Sequence, residues 1–138
     1  MQMTRIAGMT LHYRGKSAAP QAGRFGTYLG GGDGRIEGGV LSGRVAWSLF
    51  EIQSAEACDA SMTGRIETDD GASIGFETLG FFRRGAGSPV WSLAAAIRFA
   101  ATDQRYADLD GGTGWLNGEF DPATYVHRYD VLLPAGPA

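Results

Sequence analysis

Tyr125, His127 and Tyr129 alternate along one short stretch near the C-terminal end of the chain. Residues two apart in a strand point to the same face, so these three side chains share a face. If that face lines the inside of the fold, His127 is a candidate general acid or base, and the two tyrosines are candidate proton carriers. The alternative is a core histidine whose ring is satisfied by a tyrosine hydroxyl.

A second group of residues could hold a ligand. Tryptophan rings stack on aromatic or polyene molecules, which makes Trp47 and Trp115 candidates, whereas Trp91 is predicted to be plain core. Asn117 and Glu119 lie close to Trp115 in the chain and could supply orienting hydrogen bonds at the mouth of a barrel. The predicted ligand-binding residues are Trp47, Phe76, Arg98, Tyr106, Trp115 and Asn117.

The remaining charged groups and the one cysteine indicate no metal and no cofactor. Arg65, Glu67 and Glu77 are predicted to form a cross-strand charge set on a solvated face. The two aspartates at residues 69–70 form a turn, which offers too few carboxylates for a metal ion. Cys58 has no histidine near it in sequence, and two histidines with one cysteine are too few for a zinc cluster.

A glycine-rich run occupies residues 30–34. Such a run cradles a phosphate only when a helix N-terminus follows it and points its free backbone N–H groups at the anion. Residues 35–39 have no helical character. The run is therefore predicted to be a wide turn between strands.

The rest of the chain is organised around a hairpin, in which residues 61–68 and 72–79 flank an Asp-Asp-Gly turn. With a three-residue loop, Gly71 takes the left-handed position and Ile66 faces Ile74. This register collects the apolar residues on one face, whereas a two-residue loop would scatter them over both. A sheet with one dry and one wet face is typical of antiparallel barrels and sandwiches.

Alternation predicts further strands at residues 4–14, 24–29, 40–52, 90–101 and 123–133. Loops are predicted at residues 15–23, 53–59 and 83–84, and an irregular segment at residues 102–117. Short strands with frequent turn signals predict an all-β fold, a small antiparallel β-barrel of about eight strands. A β-sandwich is the alternative.

Composition limits the classes of partner. The chain has 138 residues, which fits one domain over 1–138, and its net charge of −3 disfavours nucleic acid and anionic membranes as partners. No apolar run approaches a membrane span, and the N-terminus lacks the apolar core of a signal peptide. A single cysteine suits a reducing compartment, so we expect a cytoplasmic protein.

The turn of the central hairpin carries a family resemblance. Thr68 to Ala72, with Ile74 and Gly80, resembles the central signature of a bacterial group, the domain-of-unknown-function 3237 family. The resemblance implies a calycin-like barrel similar to that of the allene oxide cyclases. Residues 106–114 also resemble the tyrosine-and-glycine segment of the cyclase and dirigent barrels. The family resemblance implies no particular catalytic residues.

Two functions of different classes remain open. The first is a cofactor-free isomerase, cyclase or lyase that holds a mostly apolar or aromatic metabolite inside the barrel and acts chiefly by positioning it. The second is a lipocalin-like binding or carrier protein without chemistry. The expected assembly is a homo-oligomer, and a filled barrel that acts only through its surface is a third possibility.

Overall fold

Eight antiparallel strands close into a barrel in the computed structural model, which describes residues 2–19, 26–53 and 57–135. Each strand pairs with the next along the chain, and the last pairs with the first. The predicted all-β barrel is therefore confirmed. The strands are β1 Met3–Ala19, β2 Gly26–Glu37, β3 Gly43–Gln53, β4 Ala57–Thr68, β5 Ser73–Arg83, β6 Trp91–Ala101, β7 Thr113–Asp121 and β8 Val126–Pro134; a 3-10 helix spans Gln104–Leu109.

The central hairpin has the predicted register. Ile66 of β4 faces Ile74 of β5, and Gly64 faces Phe76. Gly71 adopts a φ of 94°, the left-handed conformation that a three-residue loop requires and that glycine adopts without strain. Met62, Ile66, Ile74 and Phe76 consequently point into the barrel, and the charged residues of both strands point to solvent.

Side chains fill the centre of the barrel. Inward residues come from every strand, and the almost completely enclosed ones include Met9, Leu11, Ile36, Ile66, Ile74, Ile97, Leu116 and Val131. An eight-stranded barrel has an interior just wide enough for one such layer of side chains. A guest molecule therefore enters only at an end of the barrel.

The glycine-rich run lies inside β2, so the predicted wide turn is wrong. The physical reason is close backbone approach. A methyl group placed on Gly32 would lie 1.9 Å from the carbonyl oxygen of His12 in β1, and one on Gly34 would lie 2.1 Å from that of Thr10. Gly32 also faces Trp47 of β3, whose indole N–H donates to the Asp33 carbonyl at 3.0 Å. The absence of side chains at Gly32 and Gly34 therefore allows β1 to lie this close.

Several predicted boundaries are also wrong. β1 continues through Ala19 into the predicted loop 15–23, of which residues 20–23 lie outside the described residues. The segment predicted to be irregular contains the 3-10 helix and most of β7. Phe82 is buried within β5, because the alternation continues past the expected strand end. The last strand begins only at Val126.

A charged network caps the end of the barrel that carries the central hairpin turn. Asp103 caps the 3-10 helix by accepting from the backbone N–H of Arg105 at 2.9 Å, and it pairs with the Arg105 guanidinium at 2.8 Å. Arg105 also donates to the Asp70 carbonyl at 2.7 Å. These contacts with Arg105 lower the pKa of Asp103 to about 2. The network thus joins the helix to the hairpin turn.

Acid is expected to weaken this network. Because folding lowers the pKa of Asp103, its carboxylate stabilises the folded state fully above the unfolded pKa of about 4. This stabilisation is lost as the pH falls toward about 2. The melting temperature of Asp103→Asn should therefore lie below that of the natural chain at pH 7, and the difference should shrink at acid pH. Thermal melts from pH 7 to pH 2 measure this, and two parallel curves would contradict the assignment.

Candidate functional site

A pocket of about 210 Å³ opens at the end of the barrel opposite the central hairpin turn. At this end β3 finishes and β4 starts, so Glu51 and Cys58 point into the same space from neighbouring strands. Aromatic rings from β5, β6 and β7 form most of the wall. The residues that line the pocket are Glu51, Cys58, Phe82, Arg84, Trp91, Phe120, Pro122 and Tyr125.

Glu51 is the central polar group of the pocket, and only 7% of it is exposed. The hydroxyl of Tyr13 donates to Oε1 at 3.1 Å, and the thiol of Cys58 donates to Oε2 at 3.1 Å. Burial, followed by the neighbouring Glu51 carboxylate, raises the pKa of Tyr13 well above its ordinary value. Tyr13 therefore remains a neutral donor, and it fixes the orientation of the carboxylate.

Arg84 brings a positive charge to the rim of the pocket. Its guanidinium lies 4.8 Å from the centre of the Trp91 ring, over the ring face. Such a cation–π contact holds the guanidinium against the wall of the pocket. The pocket therefore combines aromatic walls with one carboxylate and one guanidinium.

His127 lies beneath the pocket floor and is 2% exposed. Its ring stacks on Phe120 with centroids 4.4 Å apart and meets the edge of Trp47 at 5.5 Å. Nδ1 shares a hydrogen bond with the Tyr129 hydroxyl. Burial, followed by Tyr13 and Glu51, raises the pKa of Tyr129. His127 and Tyr129 are thus enclosed core neighbours of the pocket.

Tyr125 departs from the predicted alternation. It precedes β8, has a φ of 57° and is half-exposed, so it does not share the inner strand face of His127 and Tyr129. The turn between β7 and β8 instead places its ring at the pocket rim. There it meets Tyr13 edge-on at 5.8 Å.

Most of the predicted ligand-binding residues lie elsewhere. Trp115, Asn117 and Arg98 are exposed on the outer face, because the inward positions of β7 and β6 are taken by their sequence neighbours. Tyr106 lies at the opposite end, where its hydroxyl donates to Asp70 at 2.8 Å.

Two predicted ligand-binding residues do point into the barrel. Phe76 is buried and packs against Gly64, below the pocket. Trp47 is also inside, and it contacts the rings of Tyr13 and His127. The structure therefore does not bring the six residues together, and none of them lines the pocket.

Sequence reasoning missed Glu51 and Tyr13 as site residues, and it assigned Arg84 to a solvated loop, with a carboxylate-binding pair of arginines as the alternative. A usable signal existed for Glu51, because it continues the inward alternation of Trp47 and Leu49 in β3. A carboxylate at a position that should be apolar indicates a buried functional group. Arg84 lies beyond the end of β5, so strand alternation carries no information about it.

The pocket offers acid–base and hydrogen-bonding chemistry.

Within residues 2–19, 26–53 and 57–135, no three His, Cys, Asp or Glu side chains converge in a way that could hold a metal ion. The same ranges contain no helix with the length and apolar character needed to cross a membrane.

The fold and the pocket define a small closed antiparallel barrel with a ligand-sized cavity at one end. No protein-family model and no curated protein sequence matches the chain. Solved structures match its fold. A conserved protein of unknown function from Rhodopseudomonas palustris has a TM-score of 0.84 and 19% identity, with 96% of each chain covered.

Two further solved structures have the same fold at low identity. A β-barrel-like protein from Acinetobacter baumannii has a TM-score of 0.83 and 15% identity, covering 96% of this chain and 94% of its own. A protein described as an enzyme from Penicillium herquei has a TM-score of 0.70 and 19% identity, covering 95% of this chain and 93% of its own. Identities this low establish the fold alone.

Proposed function

We propose that this barrel binds a small aromatic metabolite in its end pocket and acts on it as a cofactor-free isomerase, cyclase or lyase. The observation that carries the proposal is the buried Glu51 carboxylate, held by Tyr13 and Cys58 among aromatic walls. A carboxylate fixed in this way can accept a proton from a bound molecule. Arg84 at the rim supplies charge for a developing anion.

The size of the pocket limits the ligand. A cavity of roughly 150 Å³ holds one benzene ring in other proteins, and this pocket measures about 210 Å³. We therefore propose a ligand whose bound part is a single aromatic ring with a short polar substituent. Because the barrel centre is filled, this ligand sits at the mouth and not deep inside.

We also propose that the chain is a member of the domain-of-unknown-function 3237 family with an allene oxide cyclase-like, calycin-like barrel. The hairpin turn signature and the likeness to bacterial barrels of unknown function support this assignment. The description of the Penicillium herquei neighbour as an enzyme supports catalysis. The single cysteine supports a cytoplasmic location.

Titration with phenol, aniline and toluene, followed by protein-observed NMR, tests the site. We expect phenol and aniline to shift the Trp91 indole resonance and the amides around Glu51 and Cys58, because their donors reach the carboxylate. Toluene should bind more weakly, since it leaves the carboxylate without that hydrogen bond. The indole resonance of Trp115, on the outer face, should not move.

Cys58→Met and Ala57→Met form a matched pair for this titration. The first adds a longer side chain inside the pocket, and the second adds it on the exposed side of the same strand. We expect Cys58→Met to weaken phenol binding about 10-fold or more, since filling the space removes the site. Absence of any shift at the pocket, or equal binding by both variants, would overturn the ligand site.

A further inference from the structure

A continuous band of apolar and small side chains crosses the outer surface of the barrel, on the outward faces of β4 to β7. Its large members are exposed; Leu79 is 74% exposed and Trp115 is 49% exposed. We call this surface the outer apolar belt. It consists of Ser61, Leu79, Phe81, Ala94, Ala96 and Trp115.

Strand register makes the belt continuous. Starting from β4, consecutive register partners across three strand pairs are Ser61, Leu79, Ala96 and Trp115. Direct register partners lie within side-chain contact of each other. Soluble monomers rarely leave so long an apolar surface uncovered, so the belt indicates a protein interface.

We propose that a second copy of this chain covers the belt, with a two-fold axis parallel to the strands and between β5 and β6. Rotation about such an axis preserves the position along the strands and exchanges β5 with β6 and β4 with β7. Each residue of β5 therefore faces its own register partner in β6 of the second copy, and each residue of β6 faces its partner in β5. This proposal is independent of the ligand site.

Under that axis, large side chains meet small ones. Leu79 of one copy lies over Ala96 of the second, and Phe81 lies over Ala94. Trp115 lies at the edge of this contact, on the side where Ser61 of the second copy stands, because β7 and β4 exchange. The large side chains of one copy therefore fill the space above the small side chains of the other, as close packing requires.

The charges at the border of the belt are complementary under the same axis. Glu77 of β5 and Arg98 of β6 are register partners, and both are exposed on the outer face. The axis places Glu77 of each copy opposite Arg98 of the other, so two ion pairs form per dimer. This complementarity selects a second copy as the occupant, since the same pair satisfies itself twice.

The size of the outer apolar belt sets the expected affinity of the dimer. Three strand spacings of about 4.8 Å, from β4 to β7, and five residues of about 3.4 Å give a footprint of roughly 14 Å by 17 Å. Stable dimers usually bury about 800 Å² on each partner, and this footprint is smaller. The dimer should therefore dissociate on dilution through the micromolar range.

Sedimentation velocity over a concentration series measures the dissociation constant of the dimer. The variant Leu79→Arg is designed to disrupt it. We expect the dissociation constant to rise about 100-fold, because the charge is buried against Ala96 of the second copy. The matched control is His12→Arg, which adds the same charge on β1, an exposed position on the opposite side of the eight-strand ring. The control should dimerise like the natural chain.

Charge reversal tests the axis itself. Glu77→Arg and Arg98→Glu each place like charges opposite one another twice in a homodimer, so each dissociation constant should rise about 10-fold. An equimolar mixture of the two variants forms a heterodimer in which both contacts are again opposite in charge. We therefore expect the mixture to recover dimerisation, which a purely intramolecular pair would not produce.

A monomeric natural chain at high micromolar concentration would overturn the proposal. So would a dimer that Leu79→Arg leaves intact, a ring of three or more copies, or a mixture of reversed variants that stays monomeric. Circular dichroism and thermal melts confirm that each variant is folded before its mass is measured.

Discussion

Gly32→Ala is expected to destabilise the barrel strongly. The added methyl carbon would lie 1.9 Å from the carbonyl oxygen of His12 and 2.9 Å from the amide nitrogen of Arg14. Both are backbone atoms of β1, so relief requires the two strands to separate and lose their pairing. We expect a loss of more than about 3 kcal/mol in the free energy of unfolding, a large share of the total for one domain.

Gly75→Ala is the matched control for this substitution. Gly75 also lies inside a strand, but a methyl carbon there would be 3.9 Å from Ala100, which is ordinary contact. We expect it to be neutral or to stabilise by about 0.5 kcal/mol, because alanine has less freedom to lose in a strand. Urea unfolding followed by circular dichroism measures both variants. Equal stability of the two would show that β1 and β2 are not so closely paired at Gly32.

Glu51→Gln is expected to remove proton transfer in the end pocket. The amide keeps the shape of the side chain but cannot take up a proton, and removal of a general base typically lowers a rate by about 10² to 10⁴. An aryl ketone with exchangeable α-protons, dissolved in D₂O, gives a direct readout by NMR. We expect the natural chain to exchange the α-protons of the ketone for deuterium. The Glu51→Gln variant should show only the background rate.

Binding should survive this substitution. Affinity for the aryl ketone should change by less than about 10-fold, because the aromatic walls are untouched and the amide still accepts a hydrogen bond. His127→Gln in the same assay separates the two candidate bases. If His127→Gln lowered the exchange rate more than Glu51→Gln did, the base would be the His127 imidazole, as predicted from sequence. Tight binding with no exchange by the natural chain would favour the carrier function.

Strand alternation allowed much of the barrel to be predicted. The hairpin register followed from requiring Ile66 and Ile74 to share a face, and β6 followed from its alternating large side chains between Trp91 and Phe99. Such patterns are reliable where one face is buried and the other solvated, because a one-residue shift exposes the whole core.

Other features depend on contacts between distant parts of the chain. The glycine run forms strand because β1 and Trp47 approach it closely, and neither neighbour is apparent from local sequence. Glu51 becomes a pocket residue only because β3 and β4 place it beside Cys58 at an open end. Local alternation fixed which face a residue occupies, but not which end of the barrel it belongs to.

Closure of the ring has a consequence for aggregation. In the part of the chain that the structure describes, β1 has paired neighbours on both sides, as do the seven other strands. A foreign strand therefore finds no row of unsatisfied amides to extend, which is the usual first step of amyloid growth. Fibril formation by this protein would first require one pair of neighbouring strands to separate, so its rate should follow the opening of the ring.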